Sequence, residues 1–329
     1  MDQRGPLPTA SVVVAARDAA ATLPACLASL RALDYPAVEV IVVDDGSRDG
    51  TAAVAARHGA AVVNSGGLGA AAARNAGAAS ATGAILAFTD ADCTVDPGWL
   101  TTLSGALSQP GVAAAGGPQH NAFPPAPGPV NAAIEAFFGM ASIVADYTRR
   151  DRRAREVPHN ASCNSAYWHG AFDQVGGFTP GLWPGEDVDL DYRLRRAGHR
   201  CYYVPGAVVT HHRPGGMPWF ARMMRRYGHA QGVLVRIHGP FRAVDAVPPL
   251  LACLAAAQLL LWPAASRLPV AVIDLTLAAA GAVWIGATVP RHLWLPVAGV
   301  AARAAVEWHL GYVQGLRDGP PRRDGRRQP

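Results

Sequence analysis

Over its first 110 residues the chain alternates short β-branched runs with Ala-rich stretches. Ser11–Ala15 (SVVVA), Val38–Val43 (VEVIVV), Ala61–Asn64 and Ala84–Thr89 (AILAFT) read as strands. Leu23–Leu33, Thr51–His58 and Gly69–Ser80 between them read as helices. Near-continuous apolar strands separated by helices of about ten residues imply βαβ units and a mostly parallel sheet covered on both faces. Ligands of such sheets bind beyond the carboxyl ends of the strands. The acidic residues gather there: Asp44 and Asp45 close one strand, and Asp90 and Asp92 follow another.

Further on the pattern loosens. Residues 117–131 are rich in Pro and Gly and read as a loop, and Val130–Tyr147 reads as a helix. Asp187–Ala197 reads as a helix and Cys201–Val204 as a strand. After Val244 charge nearly vanishes. Ala246–Ala264 carries none, enough to cross a hydrocarbon core of about 30 Å. Leu268–Val289 is interrupted only by Asp274. Leu293–Gly315 carries Arg303, Glu307 and His309, a pattern that suits an interfacial helix as well as a span. The expected organisation is a catalytic domain over 1–215, an interfacial helical linker over 216–243, membrane helices within 244–316, and a basic disordered tail over 317–329. Buried core helices are the alternative for the apolar runs.

Composition refines this picture. All 29 basic residues are Arg, and the net charge is +5. The Arg clusters lack the interleaved aromatics of a single-strand binder, which argues against nucleic acid as a partner and for an anionic membrane face. Met1–Pro8 is polar, with no apolar core of a signal peptide, so the first domain is expected to be cytosolic. The Arg-rich Arg317–Arg327 is expected on the same side, which two spans satisfy. Cys26, Cys93, Cys163, Cys201 and Cys253 are scattered with no C-x-x-C pair, indicating neither a zinc site nor a disulfide framework.

The sharpest chemical signal is Thr89-Asp90-Ala91-Asp92. Two carboxylates just past a strand can hold one hard cation, Mg2+ or Mn2+, and leave positions for phosphate oxygens. An Asx-rich turn explains the same residues in isolation. Their company is informative. VIVVDDGSRDGT (Val40–Thr51) runs from a strand into an acidic turn, where Asp44 and Asp45 can accept from a base N–H or a ribose hydroxyl. Ala15, Arg17 and Asp18 occupy the corresponding place after the first strand. GGLGAAAARNAG (Gly66–Gly77) is a Gly-rich loop entering a helix that bears Arg74, which could reach a phosphate or simply face solvent.

In motif order and spacing, residues 9–230 resemble the family 2 glycosyltransferases of GT-A fold, an α/β, Rossmann-like architecture. The resemblance implies that Asp44 or Asp45 contacts the nucleobase of a nucleotide-sugar donor, with a UDP-sugar the expected one. It implies that Asp92 binds the metal, with Asp90 near the ribose or the metal. CNSAYWHGAFDQVGGF (Cys163–Phe178) is similar to the acceptor-side segment, which places Asn164, Gly176 and Gly177 at the sugar pocket, with Trp183 on the same side. Gly185–Leu190 (GEDVDL) is similar to the block whose Asp is the general base, here Asp187 with Glu186 as its neighbour. An inverting displacement requires such a carboxylate to take the acceptor hydroxyl proton. Acids at a helix start also simply favour the helix dipole. His212 is the better match to a His that contacts metal or diphosphate, although the pair His211-His212 leaves the choice open. Arg222 and Arg226, before Tyr227-Gly228, resemble a stretch that could clamp donor or lipid phosphates, or face lipid headgroups.

The Q-x-x-R-W motif of processive synthases is replaced by R-R-Y-G, which favours transfer of one sugar to a lipid-linked or saccharide acceptor at the cytoplasmic membrane face. A nucleotidyltransferase on a related fold would need a Lys-bearing loop, and the chain has no Lys. A non-catalytic glycan-assembly subunit is the remaining alternative, against which the intact Asp92 and Asp187 speak.

Overall fold

The computed structural model describes residues 7–125, 128–140, 153–242, 245 and 287–320. The expected spans 246–264 and, up to residue 286, 268–289 lie outside the described residues, as does the tail from 321. The described residues divide into two compact units, one built from 7–123 and 153–213, the other from 124–125, 128–140, 214–242, 245 and 287–320.

In chain order the strands are β1 (Ala10–Ala16), β2 (Val38–Asp44), β3 (Ala61–Asn64), β4 (Ile85–Asp90), β5 (Cys93–Val95), β6 (Val112–Gly116), β7 (Gln119–Ala122), β8 (Arg155–Glu156), β9 (Ser165–Trp168), β10 (Arg200–Tyr203) and β11 (Val209–His212). The first unit's helices are α1 (Leu23–Arg31), α2 (Thr51–Arg57), α3 (Ala70–Ser80), α4 (Trp99–Leu107), α6 (His169–Gln174) and α7 (Glu186–Arg196); α5 (Val130–Met140) belongs to the second unit. The main sheet has the order β3-β2-β1-β4-β9-β6-β10-β8. Within it β9 is antiparallel to both of its neighbours, β4 and β6, and β8 is antiparallel to β10, while the remaining pairings are parallel. A smaller sheet, β5-β11-β7, carries the second half of the Asp90–Val95 segment.

The valine runs explain the double covering. Successive side chains of a strand point to opposite faces. Val12, Val14 and Val42 pack with Leu23, Leu27 and Leu30 of α1 and with Trp99, Leu100 and Leu103 of α4. Val13, Ile41 and Val43 pack on the other face with Ala71, Ala73 and Ala78 of α3 and Leu190 and Leu194 of α7. Gly77 sets the closeness of α3 to the sheet: a Cβ there would lie 2.4 Å from Val13 Cγ1. The Ala-rich composition of α3 is therefore a packing requirement, because larger residues would lift it off the strands.

The second unit contains α5, α8 (Gly216–His238) and α9 (Trp294–Asp318). Gly228 and Gly232 of α8 face Gly311 and Gly315 of α9, and a Cβ at Gly228 or Gly311 would fall about 2 Å from a backbone oxygen of the other helix. Two G-x-x-x-G faces thus bring the backbones into contact. Phe220 of α8 packs edge-on against Phe137 and Phe138 of α5, with ring centroids 5.5 and 5.9 Å away. The residues expected as a linker over 216–243 are mostly α8, an integral part of this unit. The run 293–315 is helical, but no described helix is long and apolar enough to cross a membrane. The reason is visible in α9: buried Glu307 is held by Arg225 and Arg303, each at 2.6 Å.

Candidate active site

The carboxyl ends of β1, β2 and β4 meet in register, with Ala15 paired to both Val43 and Asp90. Beyond them three loops are tied together by carboxylates. Asp44 accepts the Ser47 N–H at 3.0 Å. Asp45 accepts from Ser65 Oγ at 2.7 Å and from the Gly69 N–H that opens α3, with Arg17 3.7 Å away. Asp18 takes a left-handed backbone conformation (φ 49°), and its carboxylate accepts the Arg48 N–H at 2.8 Å. Asp44 and Asp45 are both buried, so much of their hydrogen-bonding capacity shapes the shelf on which a ligand would rest.

Arg74 sits deeper than expected. It is 2% exposed, and its two terminal nitrogens each donate at 2.7 Å, one to Glu186 and the other to Asp90. A guanidinium committed in this way is not placed to bind phosphate. It joins the end of β4 to the start of α7, and its charge is further stabilised by both carboxylates, which outweigh burial and raise its pKa. Glu186 likewise departs from expectation: it is buried, and it also accepts from Ser162 Oγ at 3.0 Å, so it does not reach an acceptor. Burial first and the Asp187 charge second push its carboxyl up to about 7, against Arg74.

The other acids of α7 have separate tasks. Asp189 accepts from Arg193 and from Thr179 Oγ1, and fully buried Asp191 accepts the Asn160 N–H at 2.7 Å. Asp187 is half-buried; its two oxygens accept the N–H groups of Ser162 (3.1 Å) and Val188 (2.8 Å). A favourable helix dipole does not account for acids divided so sharply between buried partners and one accessible carboxylate.

On the other side of Asp90, the histidine pair is resolved by strand alternation. His211 faces inward, with Nε2 3.1 Å from Asp92, whereas His212 is exposed and lies beside Thr94 at 3.3 Å. The expectation of His212 is corrected to His211: consecutive residues of β11 point to opposite faces, and only one can meet Asp92. Burial and Arg213 pull the His211 imidazolium down, but Asp92 and Cys163 hold it up at about 9. Burial raises Asp92, while His211 and Arg213 more than offset this and lower it. The Asp92 side chain is 38% accessible. Together with Asp90 it presents the carboxylate oxygens that a hard divalent cation takes, so the residues fit Mg2+ or Mn2+.

Asn164 is also corrected. It is fully buried; its Oδ1 accepts from Trp99 Nε1 at 2.7 Å and its Nδ2 donates to the carbonyls of Pro118 and Ala207. These bonds make it an anchor of three segments, not a pocket wall. Gly176 and Gly177 form a positive-φ turn after α6, and Gly177 accepts from Arg193 at 2.6 Å. Trp183, just ahead of α7, is exposed. Arg222 and Arg226 lie exposed on α8, in the other unit.

Residues 11–176 match the family described as Glycosyl transferase family 2. The chain belongs to that family. It is 35% identical over 240 residues to the pre-mycofactocin glycosyltransferase of Mycobacterium tuberculosis, which covers 69% of this chain and 47% of the relative. The chain thus spans about half the length of that relative. It is 30% identical over 213 residues to glycosyltransferase AglE of Haloferax volcanii, covering 62% of this chain and 67% of AglE. Among solved structures, it is similar to the mannosyltransferase PcManGT from Pyrobaculum calidifontis in complex with GDP-Man and Mn2+. That similarity has a TM-score of 0.63 at 21% identity and covers 91% of this chain and 86% of PcManGT, which shows the GT-A-like fold.

Proposed function

We propose that the protein is an inverting glycosyltransferase that moves one sugar from a nucleotide-sugar to a hydroxyl acceptor. The observation that carries this is Arg74, which ties the carboxylate closing β4 to the helix start that bears Asp187. Donor-side and acceptor-side acids are thereby held in one site. Membership of glycosyl transferase family 2 and relatives named glycosyltransferase support the same reading.

The loops around Asp18, Asp44 and Asp45 form the shelf for the nucleoside. Asp92, with Asp90 and His211, would hold the divalent ion; a bound ion neutralises the departing diphosphate. Mn2+ accompanies the sugar nucleotide in the structure of PcManGT, which favours it here. Asp187 takes the proton of the attacking hydroxyl, while Glu186 and Arg74 fix its position from behind. The acceptor is lipid-linked or a saccharide, and the reaction runs at the cytoplasmic membrane face. The charge-free stretch 246–264 supports that location, as does the outward row Val306, Leu310 and Val313 on α9. Arg222 lines a cavity of about 360 Å³ in the helical unit, beside Glu307 and the Arg225 and Arg303 that neutralise it, and its guanidinium suits a lipid phosphate.

The test is a screen of UDP- and GDP-sugars with Mn2+ or Mg2+, using full-length protein and extracted lipids, with products identified by mass spectrometry. Asp187→Asn is expected to bind donor unchanged and to lose at least about a hundredfold in turnover. No turnover and no calorimetric donor binding with any sugar nucleotide would sink the catalytic reading. Normal transfer by Asp187→Asn would remove Asp187 as the base.

A further inference from the structure

Two of the scattered cysteines meet in the fold. Pairing of β11 with β5 sets His211 directly opposite Cys93. Cys163, in the single turn before β9, approaches from the main sheet. Donor atoms of Asp90, Cys93, Cys163 and His211 all lie within 4.8 Å of one another, and the last three residues are buried. In a tetrahedral site with Zn–S near 2.3 Å and Zn–N near 2.0 Å, donor atoms stand roughly 3.3–3.8 Å apart. A contraction of about 1 Å closes the set, within the reach of side-chain rotation.

The surroundings are built for it. Gln119 accepts from Cys163 Sγ at 3.3 Å, and its amide nitrogen lies 3.2 Å from His211 Nδ1. With Cys163 a thiolate and His211 bound through Nε2, the same amide turned over would donate to the sulfur and accept the Nδ1 N–H, the role of an outer partner that orients metal ligands. The donors are also chemically unlike the carboxylates of Asp92 and Asp90. Hard Mg2+ and Mn2+ favour oxygen, whereas two sulfurs and an imidazole select zinc-like ions.

We propose that Cys93, Cys163, His211 and Asp90 form a second metal site, which takes a thiophilic divalent ion of the Zn2+ class and excludes the hard cation. Binding releases the protons of the two thiols and of the His211 imidazolium, with no redox change. Exclusion follows because both sites draw on His211 and Asp90: an ion held by the sulfurs removes these donors from the outer position beside Asp92. The binding claim stands on the four residues alone; the exclusion rests on the proposed catalytic metal site. Zn2+ would therefore act as an inhibitor that Mn2+ in excess relieves slowly.

The probe is Co2+, added to the full-length protein under a phosphine reductant. Thiolate ligation gives sulfur-to-cobalt charge-transfer bands and intense tetrahedral visible bands. These are expected in the wild type, displaced by one equivalent of Zn2+, and unchanged in Cys201→Ser, whose buried thiol lies outside the cluster. Cys93→Ser and Cys163→Ser, with folding checked by circular dichroism, should each lose the bands and bind Zn2+ at least about a hundredfold more weakly, since losing a ligand costs no less than losing its outer partner. Octahedral Co2+ spectra without thiolate bands, or bands that survive both substitutions, overturn the site. Release of bound Mn2+ by Zn2+, followed by electron paramagnetic resonance, tests exclusion; Mn2+ that stays bound overturns it. A wild type that never binds Mn2+ but shows the cobalt bands instead defeats the catalytic-metal reading and leaves the thiol site standing.

Discussion

Replacing Arg74 by Met removes the guanidinium and keeps most of the side-chain volume. In the wild type that group bonds Glu186 and Asp90 at 2.7 Å each. Asp90, whose side chain is about one-quarter accessible, can recover hydration. Glu186 cannot; Ser162 Oγ is the side-chain donor left to it. Removing one partner of a buried ion pair costs about 3–5 kcal/mol. Protonation is the way out, since the Glu186 carboxyl already titrates at about 7 against an ordinary 4.5. The sign follows from proton counts. Between pH 4.5 and about 7 the folded state keeps a proton that the unfolded chain has released, so this contribution is complete below pH 4.5 and is lost as pH rises through 7. Without Arg74 the folded pKa climbs further and the loss extends upward. Urea unfolding of Arg74→Met should therefore show a deficit of about 3–5 kcal/mol at about pH 8 and a clearly smaller one at about pH 5. Adding Glu186→Gln should restore most of the deficit at the higher pH, because the two changes share one network. An unchanged midpoint at pH 8, or equal deficits at both pH values, would refute the account.

Three further outcomes follow from the geometry. His211→Ala should weaken Mn2+ binding at least about tenfold by calorimetry while His212→Ala leaves it intact; equal effects would return the histidine assignment to an open question. Asn164→Ala strands the Trp99 N–H and the carbonyls of Pro118 and Ala207, at about 1–3 kcal/mol for each group left without a partner, and should lower Tm without a selective rise in acceptor KM. Gly311→Ala places a Cβ 2.0 Å from the Arg225 carbonyl, and forcing α8 and α9 apart should cost about 1–3 kcal/mol in thermal unfolding; a Tm equal to wild type would show that the helices do not touch there.

The parts of the fold that could be read from the chain are those whose signals are local. β1, β2 and β4 announce themselves because a strand buried on both faces must be continuously apolar, and because an acidic turn follows each of the three. β6, Val-Ala-Ala-Ala-Gly, was missed for the opposite reason: small residues carry no β signature, and it is a strand because β9 and β10 flank it. The α8–α9 pairing was legible in principle as two G-x-x-x-G spacings, yet those glycines gain meaning only when the helices are seen to face each other.

The site divides along the same line. Motif order put Asp92 after a strand and Asp187 at a helix start, as the structure has them, but not which side chains point where. The choice between His211 and His212 depends on the register of β11, which joins residues more than a hundred positions apart. Arg74 could be read as a phosphate ligand or as a solvent-facing helix residue; it is neither, being buried against two carboxylates that it joins. Asn164 looked like a pocket residue and proves to be an anchor for Trp99. The cysteines make the contrast sharpest. Spacing along the chain argued against a thiol metal site, since Cys93 and Cys163 stand 70 positions apart in sequence. The small sheet brings Cys93 opposite His211, and Cys163 joins them from the main sheet, a juxtaposition that topology creates and spacing along the chain does not announce.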